Sequence, residues 1–235
     1  MISPYAPDLR ILANESELVE VVVELAISRI LQRLETGGVF HLALTGGSLG
    51  IQVSEELVAL WNEKPEKFSG LHLWWADERF VSEMSAERNA LPVLQGLNSD
   101  SLIHIHQVLP ADSKIDVEIA AKRYSADLFG VEMDLTLLGL GPDGHVASLF
   151  PGQWNENEER STISVVDSPK PPPQRVSFSL SKINSSHSVW FIVSGAEKHE
   201  AVAKIIARDA SIPATYIHAK EETLLFVDRA ALASE

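Results

Sequence analysis

Two kinds of apolar pattern alternate along this chain, one with helical spacing and one short and almost wholly apolar. Over residues 14–35, Glu17, Glu20, Glu24, Ser28 and Gln32 form a single polar stripe, and the rest is mostly Leu, Val and Ile. That spacing predicts a largely buried helix. Asn14 followed by Glu17 fits a capping box, and Gly37-Gly38 ends the run. Residues 39–44 then read as a buried strand running into Thr45-Gly46-Gly47-Ser48-Leu49-Gly50, with a helix onward to about Trp61. The alternation continues with strands over 71–75, 102–106, 134–139, 189–193 and 224–227 and helices over 88–96, 117–129 and 196–207. Residues 175–180 alternate as a half-buried strand should. The apolar residues after His145 suggest a helical turn, 153–161 a polar surface loop, and the proline-rich 168–173 an extended segment.

Strands alternating with helices predict an α/β fold: a mostly parallel sheet with helices on both faces. No repeat or linker divides residues 1–235, so one domain is expected. In such sheets ligands bind beyond the carboxyl ends of the strands. The least ordinary stretches of this sequence lie at those ends.

Composition narrows the chemistry. The 235 residues include no cysteine, which excludes disulfides, thiolate metal sites and cysteine nucleophiles. Residues 1–5 lack a basic region followed by an apolar core, and charges interrupt every apolar stretch before about 18 residues, so neither a secretory leader nor a membrane span is expected. The formal net charge of -14 disfavours nucleic acid and anionic membranes as partners. It also repels phosphorylated metabolites, so a site for one must gather its cations locally.

Three loops carry candidate chemistry. In Gly46-Gly47-Ser48 the glycines admit an anion close to the backbone and the following helix start offers N–H groups. A tight turn with a serine cap explains the same residues. Residues 46–50 also match the G-x-S-x-G nucleophile elbow, but an α/β-hydrolase needs an oxyanion strand and loop first, and only about forty residues precede it here, mostly one helix. The triplet Asp77-Glu78-Arg79 follows a strand; Asp77 suits a proton-transfer partner and Arg79 an anion, although a surface ion cluster has the same composition. The third loop, Gly139-Leu140-Gly141-Pro142-Asp143-Gly144-His145, forces an unusual backbone path beside a histidine, the side chain best suited to trade protons near neutral pH. Asp143 or Asp77 is its candidate partner. The other seven histidines, His104, His106 and His218 among them, read as surface or packing residues. Arg175 opens a strand, and Lys198 begins a helix, where a cation opposes the dipole unless an anion sits there. Asn89 is placed to cap the helix that follows it.

Residues 44–48, Trp75-Ala76-Asp77-Glu78-Arg79 and residues 138–151 together resemble the 6-phosphogluconolactonase family, in order and spacing, across nearly the whole chain. Arg175-Val176-Ser177-Phe178-Ser179, Ser194-Gly195-Ala196-Glu197-Lys198 and Pro213-Ala214 resemble the family's later segments. The resemblance implies a Rossmann-like fold and hydrolysis of 6-phospho-D-glucono-1,5-lactone to 6-phosphogluconate, the second step of the oxidative pentose phosphate pathway. It implies no cofactor and no catalytic metal, a phosphorylated sugar lactone as the partner molecule, a cytoplasmic setting, and a monomer or small homo-oligomer. By the same resemblance Gly46, Gly47, Ser48, Arg175 and Lys198 hold the phosphate, Arg79 lies near the substrate and His145 is the base. The family commonly continues its first loop as Gly-Gly-Ser-Thr-Pro, where this chain has Leu49-Gly50. The related glucosamine-6-phosphate deaminases usually show Asp-Glu-Tyr where this chain has Arg79, and a Glu where it has Phe150. A non-catalytic sugar-phosphate sensor is a third possibility, but such modules accompany a DNA-binding helix-turn-helix that nothing here supplies.

Overall fold

The computed structural model describes residues 6–232; residues 1–5, read above for a leader, lie outside them. Strand β1 (Asp8–Leu12) precedes helix α1 (Glu15–Glu35), whose first turn is capped by Asn14 accepting from the Glu17 N–H at 3.0 Å. Then follow β2 (Phe40–Leu44), α2 (Gly47–Glu63), β3 (Leu71–Trp75), β4 (Asp77–Arg79), α3 (Ala90–Gly96), β5 (His104–Ile105), α4 (Val117–Asp127) and β6 (Leu135–Gly139). The remainder comprises β7 (Thr162–Val165), β8 (Arg175–Phe178), α5 (Leu180–Asn184), β9 (Ser188–Val193), α6 (His199–Ala207), β10 (Glu222–Asp228) and α7 (Arg229–Leu232).

Seven strands form a parallel sheet in the order β1-β10-β9-β6-β2-β3-β5. Two apolar layers cover it. Leu42, Leu44, Leu73 and Trp75 point to the α1–α2 side, and Ala43, Trp74 and Leu138 point to the α4 side. The chain winds outward from β2 through β3 to β5, then returns to β6 on the other flank of β2. The strand order thus reverses between β2 and β6, and a crevice opens beyond their carboxyl ends. The loop after each of these two strands therefore meets the other, and Gly139 N–H donates to Thr45 Oγ1 across them at 3.2 Å.

The expected parallel sheet is present, with several differences. Asp77–Arg79 is not a loop but strand β4, and the Arg175 strand does not join the main sheet. Together with β7 they form a separate antiparallel sheet, β4-β8-β7. Every residue of β8 is buried, so its alternation marks two covered faces rather than one wet one. No helical turn follows His145: Val146 and Leu149 bridge a tight turn, with Ala147 at φ 48°. Lys198 lies in a 3-10 turn leading into α6. Edge strand β1, largely exposed, carries no strong apolar signal and was missing from the pattern.

His41, His72 and His104 stand in register across β2, β3 and β5, away from the crevice. His106 stacks on Trp74 at 3.9 Å, and His72 Nδ1 lies 2.9 Å from His106 Nε2. The rings stack rather than converge, and no three His, Cys, Asp or Glu side chains among the described residues are arranged to hold a metal. Burial first, then the neighbouring imidazoles, lowers the affinity of His41 and His72 for protons, His41 to about 4 from 6.5. Lys182 lowers His41 further; Asp127 on α4 pulls His106 the other way without reversing the fall. A depressed folded value contributes stability above 6.5 that is lost as pH falls toward the folded value. The urea midpoint is therefore expected to drop between pH 7.5 and pH 5, and His41→Gln to flatten that slope. Equal midpoints in the wild type would refute the coupling.

Candidate active site

Beyond β2 and β6 lies a pocket of about 270 Å³, lined by the backbone of Gly46, Gly47 and residues 139–142 and by Asp77, Arg79, His145, Lys170, Arg175 and Lys198. Four cationic side chains thus meet in one pocket of an acidic chain. The family resemblance grouped Arg79, Arg175 and Lys198; the β4–β8 pairing sets Arg79 opposite Arg175, and Lys170 joins them in the pocket.

The histidine loop is shaped by what it lacks. Gly141 N–H donates to the His145 carbonyl at 2.9 Å, folding the loop back on itself. A Cβ on Gly141 would overlap the His145 ring and the Asp143 carboxylate. Gly144 sits at φ 85°, and a Cβ there would meet Ile212. With the loop so folded, Asp143 Oδ1 lies 2.5 Å from His145 Nδ1. A carboxylate there accepts the Nδ1 proton, which leaves Nε2 as the lone-pair nitrogen. Burial lowers His145's proton affinity more than Asp143 raises it, so the neutral base is favoured near pH 7. Its ring packs on Phe150, centroids 4.7 Å apart. Of the two candidate partners for His145, then, Asp143 makes the hydrogen bond.

Asp77 is tied elsewhere. Its Oδ2 accepts from Ser148 Oγ at 2.7 Å and faces Arg175 Nη1 at 3.7 Å. Asn89 donates from Nδ2 to the Asp77 carbonyl at 2.9 Å. Asn89 does not cap α3 as expected; its side chain lies over Gly46, where any Cβ would overlap it. Glu78, 1% exposed, accepts from the N–H groups of Arg79, Asn89 and Ala90 and faces Arg88 at 3.7 Å. This hub fixes β4 against the segment before α3 and so aims Asp77 and Arg79 at the pocket.

Arg79 and Arg175 stand opposite one another in the β4–β8 pairing. Like charges so placed repel unless an anion joins them. Arg79 gives Nη1 to the Glu87 carbonyl at 2.7 Å, while its Nε is buried without a partner. Lys198, with 22% of its side chain exposed, lies 3.8 Å from Glu197. Ser48 is in the first turn of α2, exposed and outside the pocket lining, while the positive φ of the turn falls on Gly47. Sequence reading missed Lys170, whose proline-rich setting reads as an extended segment, and Ser148, an ordinary-looking residue whose partner is 71 positions away.

Comparison with known proteins bears on the same geometry. The glucosamine-6-phosphate isomerases/6-phosphogluconolactonase family model matches residues 13–226. A 6-phosphogluconolactonase from Streptomyces coelicolor is 33% identical, with 96% of this chain and 93% of the relative covered. One from Mycobacterium tuberculosis is 37% identical over 82% of this chain and 83% of its own length. The solved 6-phosphogluconolactonase of Thermotoga maritima superposes with a TM-score of 0.79 at 28% identity, covering 95% of this chain and all of that one. A monomeric glucosamine-6-phosphate deaminase has the same fold, with a TM-score of 0.80 at 17% identity over 96% of this chain and 100% of its own. The chain belongs to the glucosamine-6-phosphate isomerases/6-phosphogluconolactonase family.

Proposed function

We propose that this chain hydrolyses 6-phospho-D-glucono-1,5-lactone to 6-phospho-D-gluconate, the second step of the oxidative pentose phosphate pathway, and does so as one cytoplasmic domain. The observation that carries the reading is the Asp143–His145 pair, with its free Nε2, in a pocket that collects four cations from a chain of net charge -14. Names of relatives at 33–37% identity agree with it. The deaminase alternative has less support, because Arg79 and Phe150 stand where that activity uses other side chains.

In this reading the N–H groups at the start of α2, with Gly46, Gly47, Ser48 and Lys198, take the phosphate, and Arg175 adds its charge from the pocket floor. The phosphate anchor converts remote binding energy into placement of the lactone carbonyl. His145 Nε2 draws a proton from water as that water attacks the carbonyl carbon, and Asp143 holds the ring and stabilises the imidazolium. Arg79, which lines the pocket, supplies a donor for the developing oxyanion. The C–O bond to the ring oxygen then breaks, and His145 returns the proton to that oxygen. Asp77, between Ser148 and Arg175, orients the floor on which the sugar rests.

The test is lactone hydrolysis by the purified protein, followed against the spontaneous reaction with EDTA in excess. A rate above background that survives both EDTA and a serine-directed organophosphate is expected. Loss of activity in EDTA with recovery on zinc, or a stoichiometric adduct on Ser48, would replace this mechanism by a metal-assisted or acyl-enzyme route.

A further inference from the structure

Residues 168–173 form a strap along one wall of the pocket, and an unusual share of polar contacts holds it. Arg175 donates from Nε to the Pro172 carbonyl at 3.2 Å, and from Nη2 to the carbonyls of Lys170 at 3.0 Å and Pro171 at 3.1 Å. Ser168 Oγ donates to the same Lys170 carbonyl at 2.8 Å, and Ser168 N–H to the Pro173 carbonyl at 3.0 Å. A buried guanidinium spent on three consecutive carbonyls does not merely line a pocket; it fixes where the strap's one charged side chain emerges. That side chain is Lys170, which lines the pocket and reaches within 3.7 Å of Asp143 Oδ1.

We propose that Lys170 is a second lysine of the substrate-anion site, sharing the phosphate with Lys198, and that Arg175 positions it by tying down the strap. This rests on the phosphosugar reading above. An ammonium has three donors, so one can serve Asp143 while another meets a phosphate oxygen. Lys170 and Lys198 line the same pocket, where burial first lowers the proton affinity of Lys198 and the charge of Lys170 adds to that fall, against the pull of Glu197. Each ammonium has one carboxylate nearby, Asp143 for Lys170 and Glu197 for Lys198, and a dianion shared between the two lysines adds to that relief. Burial first disfavours the imidazolium of His145, and the charge of Lys170 adds to that effect.

The experiment is calorimetric binding of 6-phosphogluconate and of unphosphorylated gluconate to wild type, Lys170→Met, Lys170→Arg, Lys198→Met, Arg175→Lys and the double variant Arg175→Lys/Lys170→Met, with the pH profile of kcat/KM. Lys170→Met is expected to weaken 6-phosphogluconate about 10- to 100-fold, the range for a bond to a charged group, and to leave gluconate nearly unchanged. Lys170→Arg should restore most of the loss. Arg175→Lys keeps the charge but cannot span three carbonyls, so it should lose a similar factor, and adding Lys170→Met should cost little more. The acid limb of Lys170→Met should move to higher pH. Full phosphate affinity in Lys170→Met, or an equal loss for both ligands, overturns the proposal, even if the pH limb moves. If Lys198→Met weakens 6-phosphogluconate while Lys170→Met does not, the phosphosugar reading stands and only the role of Lys170 falls. Failure of wild type to bind 6-phosphogluconate removes both.

Discussion

His145→Ala is expected to lower kcat roughly 10²- to 10⁴-fold, the usual worth of a general base, while 6-phosphogluconate still binds. The two effects separate because the phosphate contacts proposed here come from the α2 start, the lysines and Arg175, whereas His145 serves the attacking water and the departing ring oxygen. The ring packs on Phe150 and bonds only Asp143 through its side chain, so its loss leaves no network to collapse. The pH profile offers a second reading of the same residue. His145 must be neutral to accept a proton, and burial lowers its proton affinity below the ordinary histidine value of 6.5. Wild-type kcat/KM should therefore hold down to below about pH 6.5 and then fall. Asp143→Asn removes the carboxylate that favours the imidazolium and should cost rate with little change in binding. Near-normal kcat in His145→Ala would remove this residue from the mechanism.

Glu78→Ala is expected to lower folding stability by roughly 3–5 kcal/mol, the range for breaking a buried charged pair from one side. The substitution leaves the N–H groups of Arg79, Asn89 and Ala90 without their acceptor and takes from Arg88, which is 1% exposed, its facing carboxylate, leaving it the Gln107 side chain and the Val108 carbonyl. Burial raises the proton affinity of Glu78, and Arg88 together with the three N–H groups opposes that rise. Because β4 carries Asp77 and Arg79, activity should fall with stability even at temperatures where the variant stays folded. Urea unfolding of wild type and variant measures the first effect, and turnover well below the variant's Tm measures the second. A loss under about 1 kcal/mol would show that Arg88 and the N–H groups find other partners.

Much of this was legible in the chain as written. The period-3.6 stripe of α1 and the short apolar runs of β2, β3, β6 and β9 predicted a parallel α/β sheet, because burial on both faces leaves no room for polar alternation in the central strands. The glycines around His145 marked the candidate loop, since only a residue without a Cβ fits where Gly141 meets the imidazole. The motif order pointed to the family, which the relatives then showed.

Other features had no local signal. Strand β4 is three charged or acidic residues long and exists because β8 pairs with it from nearly a hundred residues away. The choice of Asp143 over Asp77 as the partner of His145 follows from the fold of one loop and from Ser148 and Arg175 occupying the other carboxylate. Lys170 sits in a segment whose prolines read only as extended chain, and the guanidinium of Arg175, with Ser168, turns that segment into a wall of the pocket. Periodicity reports which face of an element is buried, a property each residue carries with it. Which charges meet depends on pairings between distant strands: here the crevice between β2 and β6 set the place, and the β4–β8 pairing brought Arg79 and Arg175 to it.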